Sequence, residues 1–261
     1  MDFKIIHIDE TDSTNHWLRS FYSKESGNLG NPVQSTGEII PKFLNSLEKK
    51  ESLVVVAEFQ TAGKGCGSNS WESEKGKNLT FSLLIHPEDI PASRQFVVSM
   101  AMANSIAKVV SMYVKDVSIK WPNDIYVGDR KICGMLIENT LQGSTIKDSI
   151  IGVGVNVNQL RFVSDAPNPV SLANLTGKLY DKEMLLQQLL EAFDAEWSDL
   201  EGVRMRYLPQ LYRRTGFHRY RDELSEFLAE LVTVEDDGHL VLRNIDGYAH
   251  RYAFKEVTFI I

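Results

Sequence analysis

Between residues 117 and 157, four apolar segments (117–121, 125–127, 132–139 and 145–157) follow one another with only short polar turns between them. Each has the length and composition of a β-strand. A parallel neighbour would need a crossover of roughly a dozen or more residues, and none of these connections has that length. The segments therefore favour an antiparallel or mixed sheet over a doubly wound one, and the fold class is α+β.

The rest of the chain fits around that sheet. Residues 53–59 and 79–85 are two further strands, separated by a glycine-rich polar stretch over 61–77. Phe96, Met100, Ala103, Ala107, Val110 and Val114 recur at helical spacing and predict one long amphipathic helix over 91–114. A second helix is expected from Asp181, a good N-cap, with Met184, Leu185, Leu189, Ala192, Phe193 and Trp197 on its buried face. A short helix is expected over 204–214. From Gly216 onward, hairpin signals at Asp236-Asp237-Gly238 and Asn244-Ile245-Asp246-Gly247 predict a small β-barrel-like tail of about four strands. The expected division is residues 1–214 and 215–261. The polar stretch over 27–41 reads as a surface excursion.

Bulk properties narrow the function classes. The 261 residues can bury a substantial core, and 43% hydrophobic with 24% charged residues is ordinary globular composition. A net charge of -7 argues against DNA and anionic membrane surfaces as partners. The amino terminus lacks the pattern of a secretion signal, and no apolar run approaches the roughly 18 residues of a spanning helix. Two cysteines, Cys66 and Cys133, suit a reduced, cytoplasmic protein.

Five stretches could carry chemistry. Glycines 63, 65 and 67 alternate with Lys64 and Cys66 directly after a strand, ahead of Trp71. Such a loop can bring backbone N–H groups and a cation to a carboxylate or phosphate, or can simply be a surface loop. It is neither a phosphate-cradling Walker loop nor a dinucleotide fingerprint. Lys120-Trp121-Pro122-Asn123-Asp124 reads as a type I turn that is either a plain connection or a rim bearing a cation, an amide and a carboxylate, the set that holds phosphates and Mg²⁺. In the 130–138 stretch, Lys131 stands at a strand start and Gly134 inside the strand marks a bulge, the passage of a ligand, or neutral packing. Asn156 and Asn158 fall on one face of a strand at period two, where amides could read an adenine edge or merely face solvent. Asp12-Ser13-Thr14-Asn15 is at least a helix N-cap.

Taken together and in this order, the five stretches resemble the biotin protein ligase family, the 120–138 region most specifically. The resemblance implies a class II synthetase-like catalytic domain with an SH3-like C-terminal β-barrel. It implies activation of biotin with ATP and Mg²⁺ to biotinyl-5'-AMP, then transfer to a lysine of the biotin carboxyl carrier domain of acetyl-CoA carboxylase or another biotin-dependent carboxylase. By the same resemblance Ser13, Thr14, Asn15, Gln60, Gly63, Lys64, Gly65, Cys66, Lys131 and Gly134 contact biotin. Lys64, Trp71, Lys120, Asn123, Asp124, Asn156 and Asn158 contact ATP. Lys131, Lys120 and Asp124 are the catalytic groups, and Asp124 is the Mg²⁺ ligand and a possible base toward the acceptor lysine.

Two features depart from the family pattern. Cys66 stands where an arginine is usual, so the reactive adenylate is expected to leak faster than in arginine-bearing relatives. The first motif begins at residue 12, so no repressor activity is expected. The rival readings are a lipoate ligase or octanoyltransferase of related architecture, and a non-catalytic biotin-binding sensor. A monomer and a homodimer both remain open.

Overall fold

A computed structural model describes residues 1–25, 52–67, 69–87, 89–163 and 168–261; the 27–41 stretch lies outside them. A seven-stranded sheet has the order β1-β2-β3-β7-β6-β5-β4. Its strands are β1 (Phe3–Thr11), β2 (Ser52–Gln60), β3 (Leu79–Ile85), β4 (Val117–Lys120), β5 (Asp124–Val127), β6 (Arg130–Gln142) and β7 (Thr145–Val155). Only β1 and β2 run parallel; every other neighbouring pair is antiparallel, as the short connections require. β1, whose mixture of polar and apolar residues gives no clean alternation, was not among the expected strands.

Both faces of the sheet are covered, and β2 records this at period two. Leu53, Val55 and Ala57 pack under α1 (Thr14–Glu25) with Leu18. Val54 and Val56 join the larger core on the other side. That larger core is roofed by α2 (Phe96–Val110), which packs on α4 (Lys182–Trp197) and α5 (Leu200–Tyr207). The expected helix over 91–114 is shorter at both ends: Ala92–Arg94 is a 3-10 turn, and α2 stops at Val110. Asp181 caps α4 through Glu183 and Met184 N–H groups, but Met184 is half exposed, because its side chain points away from the face that Leu185 and Leu189 bury. The short helix lies earlier than expected, as α5 followed by a 3-10 turn at Leu208–Gln210, with Pro209 in that turn. α3 (Leu172–Thr176) is a single capped turn.

The tail forms a second sheet of five strands rather than four, order β11-β10-β9-β8-β12. Its strands are β8 (Phe217–Arg221), β9 (Glu226–Val234), β10 (Leu240–Asn244), β11 (Ala249–Tyr252) and β12 (Thr258–Phe259). Tyr220, Leu231, Leu240 and Phe259 belong to the same apolar cluster as the first sheet, so the two sheets share one core. The β9–β10 turn meets the 120–124 stretch directly: Trp121 Nε1 donates to the Gly238 carbonyl at 2.9 Å. Gly238 has φ +96°, and a Cβ there would lie 2.8 Å from the Phe96 ring. Gly238→Ala should therefore cost about 1–3 kcal/mol from backbone strain and overpacking, read as a lowered midpoint in thermal unfolding. An unchanged midpoint would mean that the turn and Phe96 are free to move apart. Among the described residues no helix is long and apolar enough to cross a membrane.

Candidate active site

The strand register builds the floor of the site. Thr80, Gly154 and Gly134 lie side by side across β3, β7 and β6, and Ser82, Gly152 and Leu136 form the adjacent row. Two glycines in the first row leave a trough, and a cavity of about 320 Å³ opens over it. In the trough lies the indole of Trp71. A Cβ on Gly154 would overlap its ring, and one on Gly134 would come within 3.1 Å of it. Gly152 makes room in the same way for the Asn15 amide. Gly134 lines the cavity, and the space over it is shared by the Trp71 indole and the Lys131 ammonium.

The glycine loop is a small hairpin over the cavity. Gly65 N–H donates to the Asn69 carbonyl at 2.8 Å and Trp71 N–H to the Gly63 carbonyl at 2.9 Å. Lys64, Gly65 and Cys66 line the cavity, whereas Gly63 sits behind it against Gln60 and Trp71, where a side chain would not fit. Burial pushes the Cys66 thiol up, with the Asp124 carboxylate adding to the effect, so it stays an uncharged thiol. It accepts from Asn123 Nδ2 at 3.1 Å.

At one end of the cavity stand the hydroxyls and amides of Ser13, Thr14, Asn15 and Gln60. The cluster at 12–15 is more than a cap: the first N–H of α1, on Thr14, donates to Gln60 Oε1 at 2.8 Å, which ties the helix start to the end of β2. At the other end stand the charges. Lys131 Nζ lies 2.7 Å from Asp124 Oδ1, the only carboxylate among the described lining residues. Lys131 is held on both sides, its N–H bonding Asn168 O and its carbonyl accepting from Val170 N–H. Lys120 Nζ has no ion-pair partner among the described residues and rests on the rings of Phe259 (4.9 Å) and Tyr126 (5.4 Å). Burial lowers its pKa, while Asp124 opposes that shift. The turn that carries Asp124 contains a cis Trp121–Pro122 peptide, which turn propensity did not reveal.

Asn156 and Asn158 do not line the cavity. β7 ends at Val155, so the two never share a strand face. Asn158 instead clamps Tyr180 through both ends of its amide, at 2.8 and 2.9 Å. Asn156 is buried, its N–H bonded to Ile132 O. Conversely, the second sheet adds Phe254, Lys255, Thr258 and Phe259 to the lining, which no pattern in the tail announced. Thr80 and Ser82 were legible in principle, as the two polar residues of a strand that is buried throughout. Lys255, at φ +74°, brings its ammonium against Gly67.

A cleft with a hydrogen-bonding end, a glycine hairpin across its middle and lysines around one carboxylate suits a ligand with an uncharged polar head and an anionic end. The Biotin/lipoate A/B protein ligase family profile matches residues 29–156. The bifunctional ligase/repressor BirA of Bacillus spizizenii is 28% identical over 85% of this chain and 70% of its own length. Biotin–protein ligase 1 of Arabidopsis thaliana is 31% identical over 78% of this chain, which spans 56% of that protein. The biotin–[acetyl-CoA-carboxylase] ligase of Paracoccus denitrificans is 28% identical over 74% of this chain and 85% of its own length. Among solved structures, the biotin protein ligase from Aquifex aeolicus in complex with biotin and ATP superposes with a TM-score of 0.71 at 20% identity, covering 98% of this chain and 97% of that one. The chain belongs to the biotin/lipoate A/B protein ligase family, among its biotin protein ligases.

Proposed function

We propose that this protein activates biotin with ATP as biotinyl-5'-AMP and transfers the biotinyl group to a lysine of a biotin carboxyl carrier domain. The observation that carries the reading is the polarity of one cavity. Its hydroxyl and amide end suits an uncharged ureido head, and its Lys131–Asp124–Lys120 end suits a carboxylate beside phosphates. The biotin carboxylate is itself the nucleophile: it attacks the α-phosphorus, and pyrophosphate leaves. Residues need only position and neutralise, Lys131 between carboxylate and α-phosphate, Lys120 and Asn123 on the phosphates, Trp71 beside the adenine. Magnesium is ordinarily held by one or two carboxylates together with substrate phosphates, so Asp124 fits as its ligand, and the ion would neutralise charge on the phosphates. In the second step Asp124 would orient or deprotonate the acceptor lysine. The acceptor carried by a carboxylase, the division at 214/215 and the absence of a DNA partner, which the net charge of -7 supports, belong to the same reading.

Lys255 alters the expectation about Cys66. Its ammonium stands at Gly67, one residue along the loop from Cys66, where the family resemblance leads one to expect an arginine. We assign to it the retention of the adenylate, so Lys255→Ala should shorten the half-life of bound biotinyl-5'-AMP about tenfold, measured by chase with unlabelled biotin. An unchanged half-life would return the expectation to fast leakage set by Cys66 alone.

The deciding experiment is pyrophosphate release from ATP and Mg²⁺ with biotin, with lipoate, and with neither. Biotin-dependent release supports the reading. Release with lipoate alone would move the protein to the other acyl chemistry of its family, and silence with both would make it a sensor.

A further inference from the structure

The polar end of the cavity contains a chain of hydrogen bonds whose direction follows from the groups at its two ends. On one side of the Asn15 amide lie the Leu136 carbonyl, 3.2 Å away, and Glu138 Oε2, 2.8 Å away. A carbonyl and a carboxylate only accept, so Asn15 turns Nδ2 toward both. Its Oδ1 then faces Ser82 Oγ at 2.6 Å, and the serine must spend its single proton there. Ser82 Oγ is left with lone pairs toward Thr14 Oγ1, 2.7 Å away. On the far side of Thr14, Gln60 Oε1 lies 3.0 Å from the hydroxyl and already accepts from the Thr14 backbone N–H at 2.8 Å. Both protein neighbours of the Thr14 hydroxyl are therefore acceptors, and its proton goes to one of them. Toward the cavity, Thr14 Oγ1 offers only lone pairs.

We propose that Glu138, which stands outside the cavity, is a positioning residue that sets this direction and so makes Thr14 a fixed acceptor for a ring N–H of the ligand. Arg19 holds the other carboxylate oxygen of Glu138 at 2.8 Å, from the same helix that carries Thr14 and Asn15. The inference rests on the reading of the cavity as a biotin site and narrows it: the head of the ligand must donate a proton at Thr14. An amide at position 138 can donate or accept. With it in place only the longer contact to the Leu136 carbonyl still favours Nδ2 on that side, so Asn15 can turn over in part of the molecules, and in those Ser82 can donate to Thr14 and the Thr14 hydroxyl is free to donate into the cavity.

The test is calorimetric binding of biotin and of its two cyclic carbamate analogues, in which one or the other ring N–H is replaced by oxygen. The intact protein should bind one carbamate about 100-fold more weakly than biotin, because two acceptors would face each other. Glu138→Gln should narrow that ratio to about tenfold or less, and Glu138→Asp should keep it. A purely structural role for Glu138 would weaken all three ligands together and leave the ratio unchanged, which would overturn the proposal. A ligand-free readout separates this inference from the biotin reading. The side-chain NH₂ signals of Asn15, identified by their loss in Asn15→Asp, should move in Glu138→Gln. If the intact protein binds neither biotin nor the carbamates, the biotin reading fails, and unmoved NH₂ signals would overturn the hydrogen-bond direction independently.

Discussion

Replacing Lys131 by methionine should lower kcat for biotin-dependent pyrophosphate exchange by about 10²–10³-fold, the usual effect of removing one preorganised charge from a developing anion. The reason lies in how this lysine is held. Hydrogen bonds on both sides of its backbone fix the start of β6, and its ammonium reaches the mouth of the trough beside Trp71 and within 2.7 Å of Asp124. The ligand-free ion pair with Asp124 keeps the cation poised between the two ends of the cavity, where a carboxylate and an α-phosphate would meet. Methionine retains the apolar stem against Gly134 and removes only the charge. Transfer from supplied biotinyl-5'-AMP should fall much less than exchange does, since the mixed anhydride is already formed. Equal losses in the two half-reactions would mean that Lys131 organises the site as a whole, and a change confined to KM for biotin would reduce it to a binding group.

Gly154→Ala should raise KM for ATP by about 10–100-fold, corresponding to an overpacking cost of about 1–3 kcal/mol. A methyl group at this position overlaps the Trp71 indole, which has no other place in the row formed by Thr80, Gly154 and Gly134. Displacing the indole would also move the end of the glycine hairpin, because Trp71 N–H closes that hairpin on the Gly63 carbonyl. A double-mutant cycle with Trp71→Ala separates two roles for the glycine. If Gly154 exists to admit the indole, the double variant loses no more than Trp71→Ala alone. If the losses add, the glycine is there for the ligand.

Much of this architecture was legible because it depends on local pattern. Strand lengths and short turns over 117–157 were enough for an antiparallel or mixed sheet, and Asp181 announced itself as the N-cap of a helix that begins at Lys182. The motif order identified the family and brought Thr14, Gln60, Lys64, Lys120, Asp124 and Lys131 together in one list, and all six line one cavity. The reading failed where a local pattern stopped before its end. Asn156 and Asn158 have strand spacing, but β7 ends at Val155: Asn156 N–H still bonds to Ile132 in β6, whereas Asn158 N–H bonds to Lys77, outside any strand, so the two amides do not share a strand face.

The sequence by itself determined the class of fold, the family, and the identity of most polar and charged groups that line the cavity. Periodicity, turn chemistry and motif order all act over a few residues, and their physical basis is local. Tertiary structure alone decided which residues share a row. Gly134 and Gly154 become one trough only through the β6–β7 register, and Ser82, Asn15 and Glu138 become one hydrogen-bond chain only when three separate elements meet. It also decided that a loop of the second sheet sends Lys255 against Gly67, 188 positions earlier in the chain. Contacts of that kind come from the packing of two sheets around one core, and the free energy that selects them is spread over buried surface that no short stretch of sequence contains.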